Sequence, residues 1–148
     1  MKLIISMIAV VLLINFMGCA SYITKQEFAP HMYEEHPVSI LVLPPINNST
    51  AADAKDFYMT TVAEPLTNSG FYVFPMEIVS DILQQEGLYD TETMVDVPVK
   101  KFKEYFGADA VLYVTIEEWD TDYFITSGSV TVKAKCELKS TTTEETIW

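Results

Sequence analysis

The chain contains no arginine and has few cationic side chains of any kind. Its 148 residues include nine lysines against 21 aspartates and glutamates, so the formal net charge is -12. Nucleic-acid binding depends on neutralising phosphates, and attraction to an anionic lipid surface depends on basic clusters. The charge balance therefore argues against nucleic acid as a partner and against anionic lipid as the main attractor.

Cysteine and histidine are also scarce, with two of each. His31 and His36 lie five residues apart, a spacing that does not place them on one face of a helix. The sequence has no cysteine cluster, no glycine-rich phosphate loop, no nucleophile elbow and no H-E-x-x-H motif. We therefore expect no catalytic residue, no metal site and no cofactor, which is the pattern of a protein that is not an enzyme.

The first 20 residues are the most informative part of the chain. A single lysine precedes an apolar run from Leu3 to Leu13, which has the length of a secretory signal and is too short for a comfortable transmembrane helix. Gly18 and Cys19 follow, in the arrangement of a bacterial lipoprotein cleavage site. Residues 1–18 are thus predicted to be a signal peptide, and Cys19 to be the lipidated (palmitate-carrying) residue that anchors the chain to a membrane. An uncleaved anchor, or an ordinary signal with an unrelated cysteine, is the alternative.

The residue after Cys19 bears on the membrane to which the protein is sorted. Ala20 stands where an aspartate would favour retention in the inner membrane of Gram-negative bacteria. By that analogy we expect the bacterial outer membrane, with the chain facing the periplasm and surface exposure left open. Loss of the signal peptide removes Lys2 and changes the net charge from -12 to -13.

Residues 19–38 show no sustained hydrophobic period. Pro30 and Pro37 interrupt this stretch, and its other residues are largely polar. We interpret it as a flexible tether between the lipid anchor and a single folded domain at residues 39–148, whose size is sufficient for a hydrophobic core.

The pattern in residues 39–148 predicts an α/β domain. Residues 39–43, 71–74 and 110–116 are short apolar runs typical of buried strands, and amphipathic helical stretches lie between them. Residues 130–138 alternate between apolar and polar side chains, which indicates a strand in which Cys136 falls on the apolar, buried side. We expect a three-layer sandwich whose mixed sheet has a parallel core and antiparallel C-terminal strands.

One polar loop is a weak candidate for ligand binding. It follows the first strand, at the edge where α/β sheets tend to bind ligands, and consists of Asn47, Asn48, Ser49 and Thr50. Its alternative role is a turn with a helix cap, since Thr50 and Asp53 form a T-x-x-D signature that predicts a helix from about Ala51.

The chain stops at Ile147 and Trp148, which look like the beginning of another strand. A strand that starts there would leave part of the sheet uncovered. We therefore expect either that the chain is a fragment of a longer protein, truncated at its C-terminus, or that a partner covers the gap.

Three stretches resemble a family of uncharacterised bacterial lipoproteins that includes a genome-derived vaccine-candidate antigen. They are residues 39–45 (SILVLPP), 72–75 (YVFP) and 106–114 (FGADAVLYV). The family is similar in fold to the amino-terminal domain of TolB and to the periplasmic part of the curli-secretion lipoprotein. The resemblance implies a cell-envelope role at the outer membrane in assembly or transport, allows a homodimer, and implies no catalytic residue.

The function that we expect is therefore that of a membrane-anchored lipoprotein that binds envelope proteins as a component of an assembly, transport or secretion system. Two alternatives remain open. One is a small-ligand binder or enzyme that uses the loop after the first strand, and the other is a self-assembling structural subunit of the envelope.

Overall fold

A five-stranded mixed sheet with helices on both faces forms the body of the protein in a computed structural model, which describes residues 23–123 and 128–148. The helices are α1 (Lys25–Phe28), α2 (Pro30–Glu35), α3 (Ala54–Thr61), α4 (Ala63–Asn68), α5 (Met76–Gln85), α6 (Thr91–Met94) and α7 (Val99–Phe106). The strands are β1 (Ser39–Val42), β2 (Ile46–Asn47), β3 (Tyr72–Val73), β4 (Ala110–Tyr123) and β5 (Gly128–Ser140).

Strand β1 lies at the centre of the parallel part of the sheet. It pairs in parallel with β3 on one side and with β4 on the other. Strand β2 pairs in parallel with a later part of the same edge of β4, and β5 runs antiparallel along the opposite edge of β4 over its whole length. The predicted α/β fold, with a parallel core and an antiparallel C-terminal strand, is confirmed.

The two faces of the sheet carry separate hydrophobic clusters, which explains the continuous apolar sequence of β1. Leu41 and Leu43 pack with α5, α6 and α7 on one face. Ile40 and Val42 pack on the other face with residues of α3 and α4, such as Tyr58. Because successive side chains of a strand point to opposite faces, a strand that is covered on both sides must be apolar at every position.

The predicted flexible tether is wrong for residues 25–35, which form α1 and α2. A capping box starts α1, in which the Thr24 side chain accepts a hydrogen bond from the Glu27 backbone N–H and the Glu27 carboxylate accepts one from the Thr24 N–H. Ala29, between the two helices, is buried, and Met32 packs against the core beneath α4. The apolar contacts of this segment therefore fix it against the domain, and the division of the chain at residue 38 stays a prediction.

Two local predictions also differ from the structure. The helix expected near Ala51 begins at Ala54 instead, and its N-cap residue is Asp53, which has helical backbone angles and no side-chain capping bond. Cys136 is exposed, not buried. The alternation correctly placed Cys136 on the apolar side of β5, but on this side Leu138 is buried and Cys136 is exposed.

A hydrogen-bonded latch joins the beginnings of β1 and β4. The Asp109 carboxylate accepts hydrogen bonds from the backbone N–H groups of Val38 and Ser39, at 3.0 and 2.9 Å, and from the Ser39 hydroxyl at 2.9 Å. The Asp109 N–H donates to the same hydroxyl oxygen. Partial burial alone would raise the pKa of Asp109, but the hydrogen bonds from Ser39 and Val38 outweigh burial and lower it.

We expect Asp109→Asn to lower the free energy of unfolding at neutral pH by about 1.5–3 kcal/mol, because the charged acceptor of three hydrogen bonds is lost. The pKa of Asp109 is lower in the folded state than in the unfolded state. The Asp109 carboxylate therefore stabilises the fold fully when the pH is above its unfolded-state pKa, and this stabilisation is lost as the pH falls through its folded-state pKa. Urea denaturation at neutral and at acid pH should therefore show the gap between wild type and variant closing in acid. Asp81→Asn, on the exposed side of α5, is the matched control and should change little; equal effects of the two variants would contradict the latch.

Candidate functional site

The predicted loop after the first strand differs in part from the structure, because Asn47 is the last residue of strand β2 and a turn follows it. The side chains of this segment bond largely to one another and to its own backbone. The Asn47 side-chain oxygen accepts from the Ser49 N–H at 3.1 Å and from the Ser49 hydroxyl at 2.7 Å, and the Asn47 amide donates to the Ala51 carbonyl at 2.7 Å. Asn48 and Thr50 are exposed, and the Asn48 backbone N–H donates to Ile116 of β4. The structure thus brings Asn47 and Ser49 together as a turn, and ligand binding by these four residues stays a prediction.

Cys19 and the predicted signal peptide lie outside the described residues. The described part of the chain contains no helix that is long and apolar enough to cross a membrane.

A large concave surface, which we call the N-terminal groove, lies between the N-terminal helices and the sheet and has a volume of about 1170 Å³. Its floor is formed by buried side chains of three strands, Ile40, Leu112 and Leu138. Its walls come from α1 and α2 on one side, from α3 and α4 on the other, and from the chain end; they include Phe28, Met32, Tyr58, Val62, Leu66 and Trp148.

Sequence reasoning missed the residues that form this groove. Phe28 and Met32 lie in the stretch that we interpreted as a tether, although Thr24 and Glu27 are spaced as a capping box and signal a helix start. Trp148 was recognised only as the beginning of a strand. It does pair with β5, through a hydrogen bond of 2.8 Å from the Leu138 N–H to the Trp148 carbonyl.

Two ionisable groups of the N-terminal groove, the Cys136 thiol and the Tyr58 hydroxyl, are shifted towards their neutral forms. Desolvation raises the pKa of the Cys136 thiol and, together with the nearby Cys136, also raises that of the Tyr58 hydroxyl, so both are neutral at physiological pH. A neutral thiol is a poor nucleophile. Within the described residues, the lining contains no aspartate or glutamate, and its nitrogen-bearing basic side chains are Lys25 and His36.

A second apolar surface, the hairpin patch, continues the same sheet face towards the far end of β4 and β5. Val130 and Val132 are 58% and 47% exposed, and Val132 is the cross-strand partner of Trp119. Trp119 stacks in turn on Phe57 of α3, with ring centroids 6.2 Å apart. An exposed apolar patch of this kind usually marks a surface that contacts a partner.

Comparison with known proteins identifies relatives over most of the chain. Residues 29–148 match the profile of a family described as "Putative lipoprotein GNA1162-like". A lipoprotein of Neisseria meningitidis serogroup B, designated NMB1124/NMB1162, is 36% identical over 115 residues, which cover 78% of this chain and 54% of the relative. The chain therefore spans about half the length of that relative.

Solved structures of similar proteins share the fold. The crystal structure of lipoprotein GNA1162 from Neisseria meningitidis is 36% identical and superposes with a TM-score of 0.67, covering 76% of this chain and 78% of that one. The C-terminal domain of LpoB from Salmonella enterica has a TM-score of 0.51 at 19% identity, covering 75% of this chain and 77% of that one. At that identity the second likeness concerns the fold alone.

Proposed function

The chain belongs to the GNA1162-like family of lipoproteins, and from this premise we propose that it is a lipid-anchored protein of the bacterial cell envelope that binds other envelope proteins and catalyses no reaction. The anchor is the acylated Cys19, the membrane is the outer membrane, and the folded domain faces the periplasm. The name of the family and the signal-like first 19 residues support this anchor.

The observation that carries the binding role is the continuous apolar surface formed by the N-terminal groove and the hairpin patch. Small-molecule sites combine an apolar cavity with a few convergent polar groups. This surface instead exposes large side chains, such as Phe28 at 70% and Val130 at 58%, and its neighbouring Tyr58 and Cys136 are uncharged. A protein segment that buries these side chains fits the surface better than a polar metabolite does. In this proposal the protein acts as a tethered component of an assembly, transport or secretion system.

Site-specific photo-crosslinking in the producing bacterium tests the proposal. A photoreactive phenylalanine analogue at Phe28, in the N-terminal groove, should give crosslinks to a small set of envelope proteins. The matched control is the same analogue at Tyr89, which is 72% exposed and belongs to the segment between α5 and α6, on the opposite face of the sheet. Crosslinks of equal yield and identity from both positions, or none from Phe28, would contradict partner binding at this surface.

A further inference from the structure

The outer edge of β5 offers backbone hydrogen-bonding groups over most of its length. One edge of the strand pairs with β4 from Gly128 to Ser140. On the other edge, Leu138 and Ser140 bond to residues of the chain end, 145–148. From Gly128 to Glu137, no strand in the described part of the chain pairs with this edge. A long unpaired edge of this kind is a template for an added strand.

The direction of each backbone group on β5 follows from the bonds at its end. The N–H groups of Leu138 and Ser140 point outwards, to the carbonyls of Trp148 and Glu145 at 2.8 and 2.9 Å. In an antiparallel strand, outward and inward residues alternate. The register shift of the β4–β5 pair lies in β4, between Ile116 and Glu118, so it does not interrupt the alternation within β5. Four further residues therefore direct their N–H and C=O groups outwards, namely Val130, Val132, Ala134 and Cys136.

The side chains of β5 differ strongly between its two faces. The outward-bonding residues carry apolar side chains that extend the hairpin patch. The residues between them face the other side of the sheet, and they include Lys133, Lys135, Glu137 and Lys139. Lys133 pairs with Glu117 of β4 at 3.0 Å and Lys139 with Glu137 at 3.5 Å, whereas Lys135 has no ion pair among the described residues. Strand β5 itself thus carries three lysines against one glutamate, in a chain whose net charge is -12.

We propose that the outer edge of β5 binds an extended segment of a partner protein in which apolar residues alternate with aspartate or glutamate. The proposal rests on the partner-binding function proposed above and adds the site and the chemistry of the partner. Backbone hydrogen bonds to the four outward residues hold the added strand. Its apolar side chains lie beside Val132 and Ala134, and its carboxylates lie beside Lys133 and Lys135 on the other face.

Charge disfavours the pairing of β5 with a second copy of the chain in the register centred on Ala134. If β5 paired with β5 of another copy about a two-fold axis near Ala134, Lys133 of one copy would lie opposite Lys135 of the other. Like charges directly opposite each other on neighbouring strands are destabilising. Lysine on an edge strand is a common means of preventing self-pairing, and the same lysines attract a strand with alternating carboxylates.

Peptide binding to the full chain, purified in detergent, tests the proposal. The probes are two fluorescent peptides of about nine residues, enough to span the edge, one alternating valine with glutamate and the other valine with lysine. We expect the glutamate peptide to bind about ten-fold more tightly by fluorescence anisotropy, a difference of about 1.4 kcal/mol. It should also slow amide hydrogen exchange at Val132 and Ala134.

Two variants locate the binding site. Lys135→Glu should weaken binding of the glutamate peptide about ten-fold, while Lys100→Glu, which makes the same change of charge on α7, should leave it unchanged. Ala134→Pro removes one outward N–H and leaves the inward bonds of Lys135 to β4, so it should abolish binding. If Ala134→Pro does not fold, the charge variants still decide the question.

Several results would overturn the edge site. The two peptides could bind equally, or Lys135→Glu could have no effect. The amides of the β5 edge could be protected from hydrogen exchange in the protein without peptide. Protection at every protein concentration would mean that the chain itself covers the edge, and protection only at high concentration would mean that a second copy covers it. None of these results would affect the crosslinks expected from Phe28, so failure of the edge site is distinguishable from failure of the proposed function.

Discussion

Phe102→Ala is expected to lower the free energy of unfolding by about 3–5 kcal/mol, the usual cost of deleting a fully buried aromatic side chain. Phe102 is completely inaccessible to solvent. It lies in α7 and packs in the cluster that joins this helix to α5 and to the sheet, with Leu83 and Val111 among its members. Urea denaturation followed by circular dichroism measures the loss, and the midpoint of thermal unfolding should fall by roughly 10 °C.

The matched control is Phe57→Ala, the same substitution on α3, on the other side of the sheet. Phe57 is 54% exposed, and its main contact is the stacking on Trp119, so we expect a loss of about 1 kcal/mol. Equal losses for the two substitutions would mean that the α7 side of the sheet does not form the principal core.

The sequence predicts the position of a strand or helix in the fold when the residues of that segment alone indicate how it is buried. Residues 39–43 are apolar at every position, and only a strand covered on both faces requires this. The sequence therefore predicted the central position of β1, between β3 and β4, without knowledge of its neighbours.

The burial of Cys136 could not be predicted in the same way. Alternation showed which side of β5 is apolar, but exposure depends on whether another element covers that side. Leu138, two residues further along, is 3% exposed because Ile147 and the core around Val62 cover it. Cys136 lies on the same side of the strand and is exposed, and nothing within β5 itself indicates this difference.

The N-terminal helices show a different reason for failure. Residues 25–35 have too short a hydrophobic pattern to indicate a helix, and Pro30 suggested an extended arm. Pro30 is in fact the first residue of α2, where its missing N–H has no cost. The helices are stabilised by contacts with the distant sheet, which the local sequence does not contain.

The turn after the first strand was predictable from the sequence, but the hydrogen-bond partners of its side chains were not. Asn47 is the last residue of the short parallel strand β2, and the turn at residues 48–50 follows it. Whether its polar groups face a ligand or each other depends on the turn geometry, and Asn47 and Ser49 bond to each other. The apolar N-terminal groove has no motif at all, because its residues come from segments as distant as Phe28 and Trp148.

Cys19→Ala is expected to abolish metabolic labelling with palmitate and to move the protein almost completely out of the membrane fraction. Cys19 is the predicted attachment point of the acyl chains, and each buried methylene contributes about 0.8 kcal/mol to membrane affinity. Loss of several acyl chains therefore removes most of the free energy of membrane binding. Surface contacts cannot replace it, because the chain has a net charge of -12. Cell fractionation and labelling with a palmitate analogue measure both effects.

Cys136→Ala is the matched control, because it removes the other cysteine of the chain. Cys136 lies within β5, and its thiol pKa is raised by desolvation, so it is a poor site for acylation and its loss should leave labelling and fractionation unchanged. Continued labelling and sedimentation of Cys19→Ala would show that the chain is held by something other than a lipid on Cys19. The described residues provide no membrane-spanning helix for that purpose, so retention would then have to come from the first 22 residues or from a partner bound at the apolar surface.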